Sequence, residues 1–175
     1  MAKVLAGQLL GSEEIQNRVR ELGQQISKEY AGQEILVIGI LKGAFVFCAD
    51  LMRHLTVQTR LDFMAVSSYG SSTESSGVIR IVKDLEASVE GRHVLLVEDI
   101  VDSGLTLRYL REYLEHQNPA SLKVCVLLDK PQRRKTQVAV DYTGFTIPDE
   151  FIVGYGIDYA EHYRHLPYIG LIGEE

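Results

Sequence analysis

Residues 94–106 read VLLVEDIVDSGLT: an apolar run of strand length that closes on Glu98 and Asp99, then a third carboxylate, Asp102, and a small-residue turn. The turn leads into LTLRYLREYLEH at 105–116, where Leu107, Leu110 and Leu114 fall on one face of a helix. EILVIGI at 34–40, followed by LKGAFVFCADLMRHL at 41–55, repeats the plan of buried strand, turn and mostly buried helix. LKVCVLL at 122–128, after the turn signal Asn118-Pro119, supplies a third such strand. Strands alternating with helices predict an α/β fold with a mostly parallel sheet covered by helices.

Working outward, Ser12 reads as the N-cap of a first helix. Glu13 and Glu14 sit in its first turn, and Ile15, Val19, Leu22 and Ile26 recur at helical spacing until the chain breaks near Gly32. Between the two strand–turn–helix units, residues 60–85 carry two β-like segments flanking YGSSTESSG at 69–77. That small polar stretch reads as a hairpin tip or as an active-site lid, and composition alone does not choose. No internal repeat or long linker divides the 175 residues, which suit one domain able to bury a core without disulfides or a structural metal.

Hydrophobic residues make up 46% and charged residues 24%, a globular balance. A net charge of −6 argues against a dedicated nucleic-acid surface, so any phosphate is expected to be held locally. Cys48 and Cys125 lie in apolar runs and are expected as buried core thiols. The N-terminal apolar run is too short for a signal peptide, and no segment reaches the ~18 apolar residues of a membrane span, which leads to the expectation of a cytoplasmic protein.

The 94–106 segment has a physical use at each position. Ligands of open parallel sheets bind beyond the carboxyl ends of strands, where the next helix offers unpaired N–H groups and a positive dipole to an anion. Residues 102–106 therefore form a phosphate cradle, with Gly104 permitting close backbone approach and Ser103 and Thr106 adding hydroxyl donors. Glu98 and Asp99 suit sugar hydroxyls. The plainer reading makes all three carboxylates solvated helix caps, but three within five positions after an apolar strand repel one another unless cations or donors meet them. The pattern G-x-x-x-x-G-K-[ST] is absent, and Gly154-Tyr155-Gly156 lacks the third glycine of a dinucleotide fingerprint. An aspartyl-phosphate phosphohydrolase would place its two aspartates two apart, whereas Asp99 and Asp102 are three apart.

The same segment resembles the signature of the phosphoribosyltransferase family: an apolar strand, two acidic residues, two apolar residues, Asp, Ser or Thr, Gly, any residue, Thr. Further similarity at LKG (41–43), SSYG (67–70), LLDK (127–130), IPDEFIVGYGIDY (147–159) and YRHLPYIG (163–170) narrows the resemblance to the hypoxanthine-guanine branch. The resemblance implies a type I phosphoribosyltransferase fold over residues 1–175. In it a small hood is formed by the N-terminal residues and about 145–175, and a mobile β-hairpin loop spans about 68–78. It also implies transfer of a phosphoribosyl group from phosphoribosyl pyrophosphate to hypoxanthine or guanine, giving IMP or GMP and pyrophosphate, with Mg2+ as cofactor, in a homodimer or homotetramer.

Residue by residue, the resemblance implies that Glu98 and Asp99 bind the ribose hydroxyls, partly through magnesium, and that Asp102 is the general base or acid near purine N7. Asp102, Ser103, Gly104, Leu105 and Thr106 would hold the 5-phosphate. Lys130 would donate to the purine 6-oxo group, Phe151 stack on the base, and Ile152 contact it through main-chain atoms. Asp158 would serve the purine site and a second magnesium. Lys42, Gly43 and Arg164 would hold pyrophosphate, and the Leu41–Lys42 peptide is often cis in the family. The loop around Ser68 and Tyr69, with Gly70 and Gly77 as hinges, would form the lid that excludes water.

Without the resemblance, Lys130 reads as a solvated strand-end residue, Phe151 as a core strand residue and Asp158 as a turn residue. His162 and His165 are three apart with no third ligand nearby, which reads as a surface pair. Arg133 and Arg134 read either as steering an anionic substrate or as a solvated charge cluster, and are left outside the core site. A second function class, a non-catalytic regulator that uses the same site as a sensor, is disfavoured by the base-site residues and the acidic charge.

Overall fold

The computed structural model describes residues 3–68 and 78–174. The core is a six-stranded sheet built from β2 (Glu34–Leu41), β3 (Gln58–Ser68), β4 (Ile79–Lys83), β5 (His93–Val101), β6 (Ser121–Asp129) and β7 (Tyr142–Thr146), in the order β4-β3-β2-β5-β6-β7. All neighbours are parallel except β3 and β4, which form an antiparallel edge. β1 (Lys3–Leu10), β8 (Ile152–Val153) and β9 (Ile169–Glu174) make a separate antiparallel sheet in the order β1-β9-β8. The mostly parallel sheet expected from the alternating pattern is present.

Period-two alternation explains why the central strands read as unbroken apolar runs: each face has its own cover. Ile35, Val37, Leu95, Val97, Cys125 and Leu127 pack with Ile15, Val19, Leu22 and Ile26 of α1 (Ser12–Glu29) and Phe47, Cys48 and Leu51 of α2 (Phe45–Met52). Leu36, Ile38, Val94, Leu96, Val124 and Val126 face Leu107, Leu110 and Leu114 of α3 (Leu105–Glu115). Both cysteines are free and buried, and burial pushes the Cys48 thiol up to about 11.

Two local expectations need correction. The N-cap of α1 is Gly11, in extended conformation, and Ser12 is the first helical residue with no side-chain cap bond. Glycine tolerates the cap position, and its carbonyl accepts the first helical bond from Ile15 N at 3.0 Å. β5 does not end at Glu98 and Asp99. Its parallel pairing with β6 continues through Glu98↔Val126, Ile100↔Leu128 and Val101↔Asp129, so the carboxylates are carried inside the strand. The lid residues Tyr69, Gly70 and Gly77 lie outside the described residues; Ser68 is the last residue of β3.

Because β2, β5, β6 and β7 are parallel neighbours, their carboxyl ends open on one edge of the sheet. The segments that follow, at 42–44, 102–104, 130–134 and 147–151, are thereby gathered there from four separate parts of the sequence.

Candidate active site

A cavity of about 250 Å³ lies at the end of β5, lined by residues 98–104 with Thr106 and Leu107. The turn at its rim holds Gly104 at φ +84°, in the left-handed region where glycine carries no penalty. A Cβ there would come within 3.1 Å of Arg134 Cδ and of the Thr136 carbonyl oxygen, so this glycine admits the 134–138 segment as well as serving the turn. Ser103 Oγ accepts from Leu105 N at 3.3 Å, and the Ser103 carbonyl takes Lys135 N at 2.8 Å. The N-cap Gly104 has no side chain to cap α3, and apart from Leu105 N, which Ser103 Oγ accepts, the first-turn N–H groups at the cavity edge are available to an anion.

Glu98 is 7% exposed, and its Oε1 accepts from Asp99 N at 3.1 Å; Asp99 Oδ1 accepts from Ile100 N at 2.7 Å. Burial raises Glu98 well above the ordinary carboxyl range, and the neighbouring Asp99 charge pushes the same way. Burial also raises Asp99, against the opposing pull of its hydrogen bonds and of Arg164. The folded state therefore binds protons here that the unfolded chain has released, so stability contributed at low pH is lost as pH rises from the usual glutamate range through the raised folded value. Glu98→Gln keeps the acceptor for Asp99 N and removes the buried charge. The ligand-free variant should melt at a higher temperature than the parent at pH 8, with the difference shrinking toward pH 4; an equal or lower melting temperature at pH 8 would refute this account.

Two arginines omitted at the sequence level hold the cradle. Arg134 Nη1 donates to the Asp102 carbonyl at 3.1 Å while Nη2 donates to Asp129 Oδ1 at 2.6 Å, fixing the peptide of residue 102 against the end of β6. Arg133 Nε lies 3.1 Å from Asp102 Oδ1, an ion pair without hydrogen-bond alignment, and its Nη1 reaches Asp149 at 3.3 Å.

Beyond β6, Lys130 is only 6% exposed and donates from Nζ to the Glu150 carbonyl at 2.5 Å; burial lowers its pKa. Ile152 is buried in β8, while Phe151 beside it is 45% exposed and meets Tyr159 edge to face at 5.4 Å. An exposed aromatic face thus stands one residue from the carbonyl that the buried Lys130 ammonium holds, a combination of apolar surface and polar donor that ligand sites use.

The remaining predicted residues collect on the other flank of β5. The Leu41–Lys42 peptide is cis. Gly43 abuts Asp99 so closely that a Cβ would stand 1.9 Å from Oδ2. Lys42 Nζ pairs with Glu161 Oε2 at 2.9 Å, and Glu161 Oε1 meets Arg164 Nη2 at 3.3 Å. Arg164 also reaches Asp158 Oδ1 at 3.1 Å and the Gly156 carbonyl at 2.9 Å. Glu161, not singled out from sequence, thus places one carboxylate between two cations. His162 and His165 are exposed on the same loop.

Comparison with known proteins settles the family. The model of the phosphoribosyl transferase domain matches residues 6–160. The chain belongs to the phosphoribosyltransferase family. The hypoxanthine-guanine phosphoribosyltransferase of Bacillus subtilis is 54% identical over 164 residues, 94% of this chain and 91% of that protein. Its counterpart from Mycobacterium tuberculosis is 54% identical over 170 residues, 94% of this chain and 84% of the relative. A crystal structure of a hypoxanthine-guanine phosphoribosyltransferase from Bacillus anthracis superposes with a TM-score of 0.93 at 48% identity, covering 97% of this chain and all of that one. The mixed sheet with three helices is the type I phosphoribosyltransferase fold, and the resemblance read from residues 94–106 holds along the chain of this phosphoribosyltransferase.

Proposed function

We propose that this phosphoribosyltransferase salvages purines by transferring the 5-phosphoribosyl group from phosphoribosyl pyrophosphate to hypoxanthine or guanine, giving IMP or GMP and pyrophosphate. The observation that carries the reading is convergence at one sheet edge. The N-terminus of α3, a carboxylate pair in which Glu98 is buried and Asp99 half-buried, and a base platform of Lys130 and Phe151 meet around β5, with the Lys42 and Arg164 cations on its far flank.

In this reading residues 102–106 hold the 5-phosphate and Glu98 with Asp99 bind the ribose hydroxyls. Lys130 donates to the 6-oxo group, Phe151 stacks on the base, and Ile152 and Asp158 complete the purine site. Lys42, Gly43 and Arg164 receive pyrophosphate. Among the described residues no three carboxylates or histidines cluster as a ready-made metal cage. That fits magnesium, which is usually bound through one or two carboxylates together with substrate oxygens. Glu98 and Asp99, whose carboxyls burial raises, suit one such ion, and Asp158 a second. Bound there, magnesium would neutralise charge building on the leaving pyrophosphate.

Displacement at ribose C1 passes through an oxocarbenium-like state by analogy with glycosyl transfer, so charge management is the main task. Arg164 offsets leaving-group charge, Asp102 takes or returns the purine proton, and the Ser68–Tyr69 lid keeps water from the activated sugar. The three-stranded sheet serves as the hood. The protein works in the cytoplasm as a homodimer or homotetramer.

The test is incubation of purified protein with magnesium, phosphoribosyl pyrophosphate and each of hypoxanthine, guanine, xanthine and adenine, following nucleotide and pyrophosphate. Turnover of hypoxanthine or guanine without adenine is expected. Silence with all four bases despite measurable phosphoribosyl pyrophosphate binding would replace the enzyme by a sensor.

A further inference from the structure

Tyr155 is 2% exposed and sits at φ +50° between Gly154 at +100° and Gly156 at +97°, three successive residues in a region that a bulky side chain seldom enters. Such a backbone persists only where its surroundings over-determine it. The Tyr155 hydroxyl donates to Asp50 Oδ2 on α2, and the same oxygen takes Gln16 Nε2 of α1 at 3.0 Å, while Arg53 pairs with Oδ1. Burial alone would raise Asp50, but these donors more than offset it and hold the carboxyl below its usual range. Asp50 is itself only 8% exposed. A phenylalanine would fill the same space without needing a buried anion, so packing does not explain the pair.

The backbone shows what the pair holds. Tyr155 N donates to Leu166 O at 2.8 Å and Gly156 N to Arg164 O at 3.0 Å, while the Arg164 guanidinium returns a bond to Gly156 O. On its other side Gly156 presses against the 41–43 turn: a Cβ would stand 2.5 Å from Gly43 O. Gly43 in turn abuts Asp99. The fixed point under Arg164, Gly43 and Asp99 is therefore the Tyr155–Asp50 contact, which ties the 154–156 turn to α1 and α2.

We infer that Tyr155 and Asp50 are positioning residues for the pyrophosphate end of the site, setting Gly156 so that Arg164 and the 41–43 turn face the leaving group together. This rests on the proposed assignment of Lys42, Gly43 and Arg164 to pyrophosphate. Ile152 lies on β8, paired with β9 at Ile152↔Leu171 and Val153↔Gly170, and Phe151 just before it accepts from Ile172 N of β9 at 2.9 Å, so both are held by β9 and not by the hydroxyl. The effect of losing it should therefore separate the two substrates.

The experiment is steady-state kinetics on Tyr155→Phe, Asp50→Asn and Asp50→Ala, varying phosphoribosyl pyrophosphate and hypoxanthine in turn, with pyrophosphate varied in the reverse direction. A hydrogen bond to a charged group corresponds to roughly tenfold or more. Tyr155→Phe should raise KM for phosphoribosyl pyrophosphate and for pyrophosphate about tenfold while KM for hypoxanthine stays within about twofold. Asp50→Asn, whose amide oxygen can still accept from the hydroxyl, should lie nearer the parent than Asp50→Ala. Unchanged pyrophosphate-side KM values, a parallel rise in both KM values, or equal losses in the two Asp50 variants would overturn the inference. Should Tyr155→Phe fail to fold, Gln16→Ala removes a part-buried donor to the same oxygen and should shift pyrophosphate binding by titration calorimetry in the same direction; no shift would overturn it. Parent protein that turns over no base with phosphoribosyl pyrophosphate would sink the proposed reaction itself, whereas an active parent with an indifferent Tyr155→Phe sinks only the positioning role.

Discussion

Asp102→Asn should lower kcat by about 10²- to 10⁴-fold, the range for losing a positioned proton carrier, with KM for phosphoribosyl pyrophosphate little changed. The expectation of intact binding comes from how residue 102 is held. Its carbonyl is gripped by Arg134, which is anchored on Asp129, so the cradle does not depend on the side-chain charge. The side chain as a whole is 44% exposed, and although the Oδ1 that meets Arg133 Nε at 3.1 Å is itself buried without a hydrogen bond, both partners reach solvent, as in ion pairs worth about 0–1 kcal/mol. Asparagine preserves size and shape but cannot take up the purine proton. The melting temperature should hardly move. A variant retaining more than about a tenth of parental kcat would remove Asp102 from proton transfer, since even modest acid–base roles exceed tenfold.

Asp102 belongs to the part of the site that the sequence displays openly. A buried strand, a carboxylate pair, a small-residue turn and an amphipathic helix are all local features, and residues 94–106 contain them in order. The misreadings there are local as well. Ser12 is a better cap by type than Gly11, but one residue of slippage is set by where α1 docks, and β5 runs past its carboxylates because β6 continues to pair with it.

What stayed illegible depends on pairs far apart in the chain. Arg134 meets the Asp102 carbonyl across 32 positions, Tyr155 meets Asp50 across 105, and Lys42 meets Glu161 across 119. None of these residues carries a local signal. Arg133 and Arg134 look like any charged surface pair, Asp50 in its apolar helix has Arg53 three residues on as a ready local partner that hides its longer-range one, and Glu161 follows an alanine in a polar loop. Lys130 and Phe151 fall between: their chemistry was visible only through the family resemblance, and the burial of one with the exposure of the other gives it a physical basis.

Gly43→Ala should show the same dependence on a distant partner. In sequence it is a turn glycine after a strand, yet its requirement is steric: a Cβ would stand 1.9 Å from Asp99 Oδ2 and 2.7 Å from Cγ, distances that force a shift. The turn cannot retreat easily, because its other side is in contact with Gly156 and Phe45 N bonds back to Lys42 O at 3.1 Å. The Asp99 carboxylate must move instead, away from the ribose position assigned to it. A displacement of about 1 Å in a positioning group can cost about 10²-fold, and kcat/KM for phosphoribosyl pyrophosphate should fall by about that factor in Gly43→Ala. Overpacking of this kind costs about 1–3 kcal/mol of stability, so the variant should remain folded for assay. The decisive comparison is a double-mutant cycle with Asp99→Ala. If the clash acts through that carboxylate, adding Gly43→Ala to Asp99→Ala should cost little more, because the group it displaces is already gone. Additive losses would instead show that Gly43 serves the site through its own backbone, by the approach of the 41–43 peptide to pyrophosphate.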